Sequence, residues 1–438
     1  MSVERNDTRL PGLGGSVWSV ADQAVVSLGT FLTSIALART LSPSDYGAYG
    51  ALVAGLLFLN GIHNSLVTSP LSVQGAAVDH ATLGRYSTAS VLFTLVLAVP
   101  SGLLLVAASA GLGRSSLWIW APASLALWQL QETMRRSLMC GLGHRRAVWG
   151  DAVSYLGQAV FIWAGCRAGF MNLERAFAIM ALTSGAAAVV QAIQAGLGRV
   201  ELAEVWRLAR GFWKFGSWML YGSFASMFGA QAFFWVLAAF HGSKETASLQ
   251  AVASMLGVCH PLMFGLGNLL VPVVARAKAA GGLSLAWHSA RGYGFQFGSV
   301  LALYFVILLL WPRAVLSALY GPASPYAGLA GPLRLLVAAY AFMYLAQVLG
   351  LFLTGVGDAK ATFQVQIYGA GSSLVLGLPL AAAWGVAGAC AGMAAVNATK
   401  AVASAVLASR KMNIWTHRYD KAGLGLPACQ DATGTPGE

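Results

Sequence analysis

Long apolar runs separated by short polar intervals dominate this chain from residue 17 to residue 409. A helix needs about 20 predominantly apolar residues to cross a bilayer. Twelve runs meet that length: 17–38, 46–69, 86–110, 116–138, 147–168, 174–196, 213–239, 246–272, 293–312, 330–354, 360–383 and 386–409. Barrel strands are about half as long and alternate in hydropathy, so continuous runs of this kind exclude a barrel. The pattern predicts an all-α integral membrane protein with twelve transmembrane helices.

The polar intervals divide the chain further. Residues 197–214, LGRVELAEVWRLARGFWK, form the longest charged stretch in the interior, with Val200, Val205, Leu208 and Phe212 spaced for an amphipathic surface helix. Six runs precede it and six follow. With the halves laid 200 residues apart, Trp18 meets Trp218, Gly29 meets Gly229, Leu37-Ala38 meets Leu237-Ala238, and the turn Ser44-Asp45 meets Lys244-Glu245. The second run of each half ends near a proline, Pro70 and Pro272. This spacing predicts two pseudo-symmetric six-helix bundles, residues 17–196 and 213–409, joined by a linker over 197–212. An N-terminal segment of residues 1–16 and a polar, disordered tail of residues 410–438 flank them.

Composition sharpens this picture. Only 10% of the 438 residues are charged and 57% are hydrophobic, against about 25% charged in a soluble chain. Too little polar surface exists to face water all round, and the net charge of +12 is no nucleic-acid footprint. Lys and Arg are distributed unevenly: 19 fall in the termini and every second interval, seven in the other set, and Lys400 lies inside a run. The positive-inside rule then puts both termini in the cytoplasm. The first run is too long for a signal-peptide core and is expected to persist as a helix. Cys140, Cys166, Cys259, Cys390 and Cys429 form no metal or redox pattern. No phosphate-binding loop, zinc-protease motif or nucleophile elbow occurs, so no enzyme, cofactor or metal site is expected.

The stretch ADQAVVSLGTFLTSIALARTLSPSDYGAYG, residues 21–50, resembles the first helix and turn of bacterial polysaccharide flippases of the multidrug/oligosaccharidyl-lipid/polysaccharide exporter superfamily. HPLMFGLGNLLVPVVAR (260–276) is similar to the eighth helix of that family, LLLWPRAVLSALYG (308–321) to the ninth helix and following loop, and AWGVAGACAG (383–392) to the start of the twelfth. The resemblance implies a V-shaped pair of bundles in the bacterial inner membrane that alternate between cytoplasm-facing and periplasm-facing states. It implies a polyprenyl-diphosphate-linked oligosaccharide as substrate, with the polymerase and glycosyltransferases of a surface-polysaccharide or exopolysaccharide pathway as partners. The alternative is an ion-coupled drug or metabolite antiporter of the same fold.

Ionisable residues inside spans are costly and call for a role. A diphosphate head needs cations to replace its lost water, which nominates Lys400 with Arg136 or Arg135 as the lining of a cationic cavity. For the arginines the competing reading is snorkelling, with Glu132 paired to Arg136 at i+4. Lys400 sits roughly 15 Å along its helix from Arg410, too deep for easy snorkelling. Asp22 admits two readings: a coupling acid, as the multidrug branch of the superfamily uses, or a carboxylate favoured by a helix N-terminus. Gln23 cannot share its face and is free to bond a neighbouring helix. Arg39, Pro43, Pro70 and Pro272 read as structural or hinge residues: Arg39 reaches the headgroups, and Ser42 or Ser44 caps the second helix. His63 and His260, at nearly matching places in the two halves, read as neutral packing residues. Gly388 and Gly392 permit close helix contact.

Overall fold

The computed structural model describes residues 13–75, 78–141 and 143–421. The first dozen residues and the end of the tail fall outside them. Among the described residues the chain is helical throughout, with no strand. Twelve spans follow in order: α1 (Leu13–Thr40), α2 (Pro43–Gly75), α3 (His80–Gly111), α4 (Trp120–Cys140), α5 (144–167), α6 (Leu173–Ala195), α7 (Leu202–Phe240), α8 (243–280), α9 (283–310), α10 (Ala330–Gly355), α11 (359–383) and α12 (386–421). A short helix, Pro312–Tyr320, lies between α9 and α10. With twelve spans the start of α1 and the end of α12 lie on one face of the bundle, here the terminal face; the other is the distal face.

Seven stretches are by themselves long and apolar enough to cross a bilayer. Two of these hold parts of more than one span: His260–Leu310 turns at Gly281-Gly282, and 360–413 turns at Trp384-Gly385. Of the spans missing from that set, α4 is interrupted by Glu132, Arg135 and Arg136, and α5 is opened by Arg145, Arg146 and Asp151. In α7 the charges fall in the first turns, and an uncharged stretch follows to Phe240. All twelve predicted runs are therefore present as helices.

The polar intervals serve as caps. Ser42 Oγ accepts from Asp45 N at 3.1 Å with Pro43 in the first turn of α2, so of the two candidate serines Ser42 does the capping. Asp79 Oδ1 accepts from Ala81 N and Thr82 N, both at 3.0 Å, and Asn172 Oδ1 from Arg175 N at 2.8 Å. The bonds from Thr82 hold the exposed Asp79 carboxyl below its ordinary value.

Three spans carry a widened π turn: Asn64–Thr68 in α2, Ala152–Leu156 in α5 and Ser373–Gly377 in α11. The first immediately precedes Pro70, whose missing N–H and bulky ring cannot be fitted into an unperturbed α-turn. Pro70 is thus tied to a local change in helix form. Pro272 sits on the exposed face of α8, which a turn at Val258-Cys259 interrupts upstream of it.

Two expectations about boundaries change. The amphipathic linker is no separate surface helix: from Leu202 it runs unbroken into the seventh span, a single helix of 39 residues. The last helix also continues past Arg410 to Lys421, and only 422–438 of the expected tail lie outside the described residues.

The bundles meet through α1 and α2 on one side and α7 and α8 on the other. Outside the linker, the hydrogen bonds that cross this seam cluster toward the distal face. Ser34 Oγ and Ser254 Oγ lie 2.6 Å apart, and Trp235 Nε1 donates to Ala51 O at 3.2 Å. Gly47 packs so closely on Ser243 that a Cβ would lie 1.6 Å from its carbonyl oxygen. Arg39 does not reach for headgroups. Its Nε and Nη2 donate to Leu319 O (2.5 Å) and Ala318 O (3.0 Å), at the C-terminal end of the short helix in the other half.

Candidate functional site

Three helices of the first bundle converge on Arg135. The side chain projects from α4 into the interior, where the residue is 6% exposed. Its Nε lies 2.6 Å from Asp151 Oδ2 of α5, its Nη1 donates to both Glu132 oxygens at 3.2 Å, and its Nη2 pairs with Asp22 of α1. Asp151 is itself fully buried and accepts through Oδ1 from Gln131 Nε2 (3.1 Å) and from Gln191 Nε2 of α6 (3.2 Å). Gln191 reaches it because Gly150 leaves room: a Cβ there would lie 2.3 Å from the amide.

The cluster links α1, α4, α5 and α6 through one guanidinium. A buried charge is tolerated only when paired and hydrogen-bonded, and Arg135 meets that demand with carboxylates from three positions. This placement withdraws Arg135 from the cationic cavity assigned to it: its donors face carboxylates and none is offered to a phosphate. Glu132 pairs with Arg135 at i+3, not with Arg136 at i+4. One residue turns a helix by about 100°, so neighbouring arginines cannot share a face, and the inward one takes the acid.

Asp22 is likewise no open carboxylate at a helix end. It is 1% exposed, one oxygen is engaged by Arg135, and Oδ1 has no hydrogen-bond partner among the described residues. Arg136 is half-buried, and its Nε has no partner among the described residues. Lys400 lies in the other bundle, on α12, with its methylene stem laid over Gly369 of α11; a Cβ at Gly369 would come within 2.1 Å of Lys400 Cε. Beside it Thr399 Oγ1 and Ser372 Oγ lie 3.1 Å apart. Among the described residues Lys400 has no ion-pair partner, and no bond joins it to Arg135 or Arg136. The sequence-derived cationic trio is therefore divided between the bundles.

The remaining candidates fall into packing roles. His63 Nε2 lies 2.9 Å from Thr94 Oγ1 and 3.2 Å from Thr133 Oγ1, in a buried chain joining α2, α3 and α4. His260 stacks on Tyr340, whose hydroxyl lies 3.3 Å from its Nε2. Gly392 seats α12 against α11: a Cβ would lie 2.6 Å from Gly377 O. Among the described residues no group of His, Cys, Asp and Glu is arranged to hold a metal ion.

Sequence reasoning missed Asp151, Gln131 and Gln191. The signal for Asp151 was present, since it lies inside the fifth expected run and the cost that drew attention to Asp22 applied equally. For the glutamines no sequence signal exists, because their partner comes from another helix.

An apolar cleft of about 430 Å³ opens near the distal face between α2, α3 and α7, lined by Leu52, Gly55, Phe58, Leu104 and Trp235 among others.

No protein-family model matches the chain, and no curated protein sequence matches it. Solved structures do. An inward-facing multidrug resistance MATE family transporter of the MOP superfamily superposes with a TM-score of 0.70 over 92% of this chain and 96% of its own, at 13% identity. The lipid II flippase MurJ, in an inward closed conformation, superposes with a TM-score of 0.71 over 89% of this chain and 86% of its own, at 11% identity. An outward-facing MATE family transporter of the MOP superfamily gives 0.61 over 92% and 95%, at 13% identity. At these identities the likeness speaks for architecture alone, and with the twelve helices above it establishes the chain as a multi-pass α-helical membrane protein with the fold shared by MATE transporters and MurJ.

Proposed function

We propose that this protein is a flippase that carries a polyprenyl-diphosphate-linked oligosaccharide across the bacterial inner membrane by alternating access, for surface-polysaccharide or exopolysaccharide assembly. The observation that carries the reading is the contrast between two intramembrane charges. Among the described residues Lys400 has no counter-ion, as an anionic diphosphate head would require. Asp22, the acid an ion-coupled antiporter would use, already holds the guanidinium of Arg135. The resemblance of residues 21–50 to polysaccharide flippases and the fold shared with a lipid II flippase both support the same choice.

With both termini in the cytoplasm, as the Lys and Arg distribution favours, the distal face is periplasmic. The seam contacts of Ser34, Gly47 and Arg39 then close the periplasmic side, and the better superposition on the inward-facing MATE than on the outward-facing one agrees with that state. Arg136, half-buried with an unpartnered Nε, is the second candidate for the head group, and Arg135 positions the bundle without touching cargo.

A deletion strain tests the reading through two quantities, extracellular polymer and membrane-bound lipid-linked repeat unit. Loss of polymer with accumulation of the repeat unit, restored by wild type and not by Lys400→Ala, is the expected result. Restoration by Lys400→Ala would keep the flippase and remove Lys400 from the site. Normal polymer with altered drug tolerance would favour the second reading, an ion-coupled antiporter. The observation favouring that second reading is the excess of carboxylates around Arg135, where three acids face one guanidinium.

A further inference from the structure

The end of α7 at the terminal face has two sides, and only one is explained by packing. Phe212 is buried against Leu71 of α2 and against Leu83 and Phe93 of α3, and Leu208, one turn before it on the same face, is buried too. The segment before them is fastened to the same place. Gly198 N donates to Gly84 O at 3.0 Å, Thr88 Oγ1 donates to Gly198 O at 2.7 Å, and Arg85 pairs with Glu204 at 3.7 Å.

The opposite face is outward and strongly patterned. Leu202, Trp206 and Trp213 fall within a narrow arc at 3.6 residues per turn, and they are 73%, 64% and 62% exposed. Beside this apolar stripe run Arg210, Lys214 and Arg207, all exposed. Arg207 touches Glu204 at 3.6 Å, whereas Arg210 and Lys214 have no ion pair among the described residues. Two exposed tryptophans and a leucine are out of place in water, and a row of cations is out of place in hydrocarbon. One environment satisfies both: the boundary between acyl chains and anionic headgroups.

We propose that this face of α7 is a binding surface for anionic phospholipid in the leaflet at the terminal face. Trp206, Trp213 and Leu202 enter the acyl boundary while Arg207, Arg210 and Lys214 take the phosphates. The site differs in kind from a cargo site, because it lies on the outer surface at the joint between the bundles. One end of the rod is clamped to the first bundle and the other is a span of the second, so lipid bound here acts on the element common to both. The inference holds whether the cargo is a lipid-linked oligosaccharide or a drug.

The test places a bimane fluorophore at Ala203→Cys, an exposed position on the cationic side of the face, in a cysteine-free form of the full chain that melts like the parent. The labelled protein is reconstituted into phosphatidylcholine vesicles with and without phosphatidylglycerol. Phosphatidylglycerol is expected to shift emission to the blue, high salt to reverse the shift, and R207Q/R210Q/K214Q to abolish it. Each removed cation should weaken the lipid preference about fivefold. Equal emission in the two vesicles, or a shift that survives in the folded triple variant, overturns the proposal.

Discussion

The two bundles share a span count and a fold but are held together by different means. The first buries an arginine, two aspartates, four glutamines, a histidine and more than a dozen hydroxyls. The second, among its described residues, buries only Thr246, Ser373 and Ser404 of that kind. Its interior polar contacts include three tyrosines giving hydrogen bonds to main-chain carbonyls: Tyr304 to Met255 O at 2.8 Å, Tyr320 to Ala251 O at 2.9 Å, Tyr344 to Gly294 O at 2.6 Å. Helices in a bilayer gain little from hydrophobic burial against one another, since lipid is equally apolar, and depend on close packing and interhelical bonds of about 0.6 kcal/mol each. The first bundle draws on directional bonds, which fix one arrangement. The second draws more on shape, which tolerates small displacements. Pseudo-symmetry of fold therefore does not carry over to cohesion.

The largest test of this contrast removes Arg135. Arg135→Ala leaves Asp22, Glu132 and Asp151 without their counter-ion, and breaking a buried ion pair from one side costs about 3–5 kcal/mol. The expected result is loss of folded protein in a detergent melting assay, with Arg135→Lys recovering part of it. Lys400→Ala, in the second bundle and without a partner to strand, should leave the melting temperature almost unchanged. Equal melting of the Arg135→Ala and Lys400→Ala proteins would erase the distinction.

A smaller effect is expected at the seam. Gly47→Ala sets a methyl group against the Ser243 carbonyl, at a cost of about 1–3 kcal/mol for an overpacked contact. The bundles should part at the distal face, and a cysteine at Ser254 should be alkylated faster by a membrane-impermeant maleimide. Arg39→Gln removes two bonds to the short helix Pro312–Tyr320. Because the arginine is exposed, the expected shift in the same reaction is smaller, about 1 kcal/mol or less.

The smallest effect is a matter of pH. Between α10 and α11, a hydrogen bond from Lys411 Nζ (2.8 Å), aided by one from Ala361 N, holds the Asp358 carboxyl below its ordinary value. A carboxyl depressed on folding stabilises the folded state above its unfolded value, and that contribution is lost as pH falls through the folded one. An acid titration of melting temperature should therefore fall less steeply, below about pH 4, in Asp358→Asn than in the parent.

The spans were legible because apolar length is a local property, and even the polar α4 and α5 were recovered from their runs. The capping of α2 was legible for the same reason, as a choice between Ser42 and Ser44, because residues 42 to 45 contain the whole motif. The Arg135 cluster was not. Its members come from residues 22, 132, 135 and 151, with Gln191 beyond them, and nothing in the local pattern says that α1, α5 and α6 bring them to one point. Periodicity places Arg135 and Arg136 on different faces but does not say which face turns inward. The continuity of α7 was obscured by charge, because a polar stretch before an apolar run looks like a boundary. Here the polar residues line the outer face of an unbroken helix.

That unbroken helix also decides where the chain can be cut. The surface that fastens the halves together, Phe212 against Leu71 and Leu83, belongs to the C-terminal fragment on one side and the N-terminal fragment on the other. A break between residues 199 and 202 leaves both surfaces whole. Two separately translated polypeptides, 1–199 and 202–438, each retain half of a docking joint, so the covalent link supplies equal stoichiometry and the docked helix supplies the assembly.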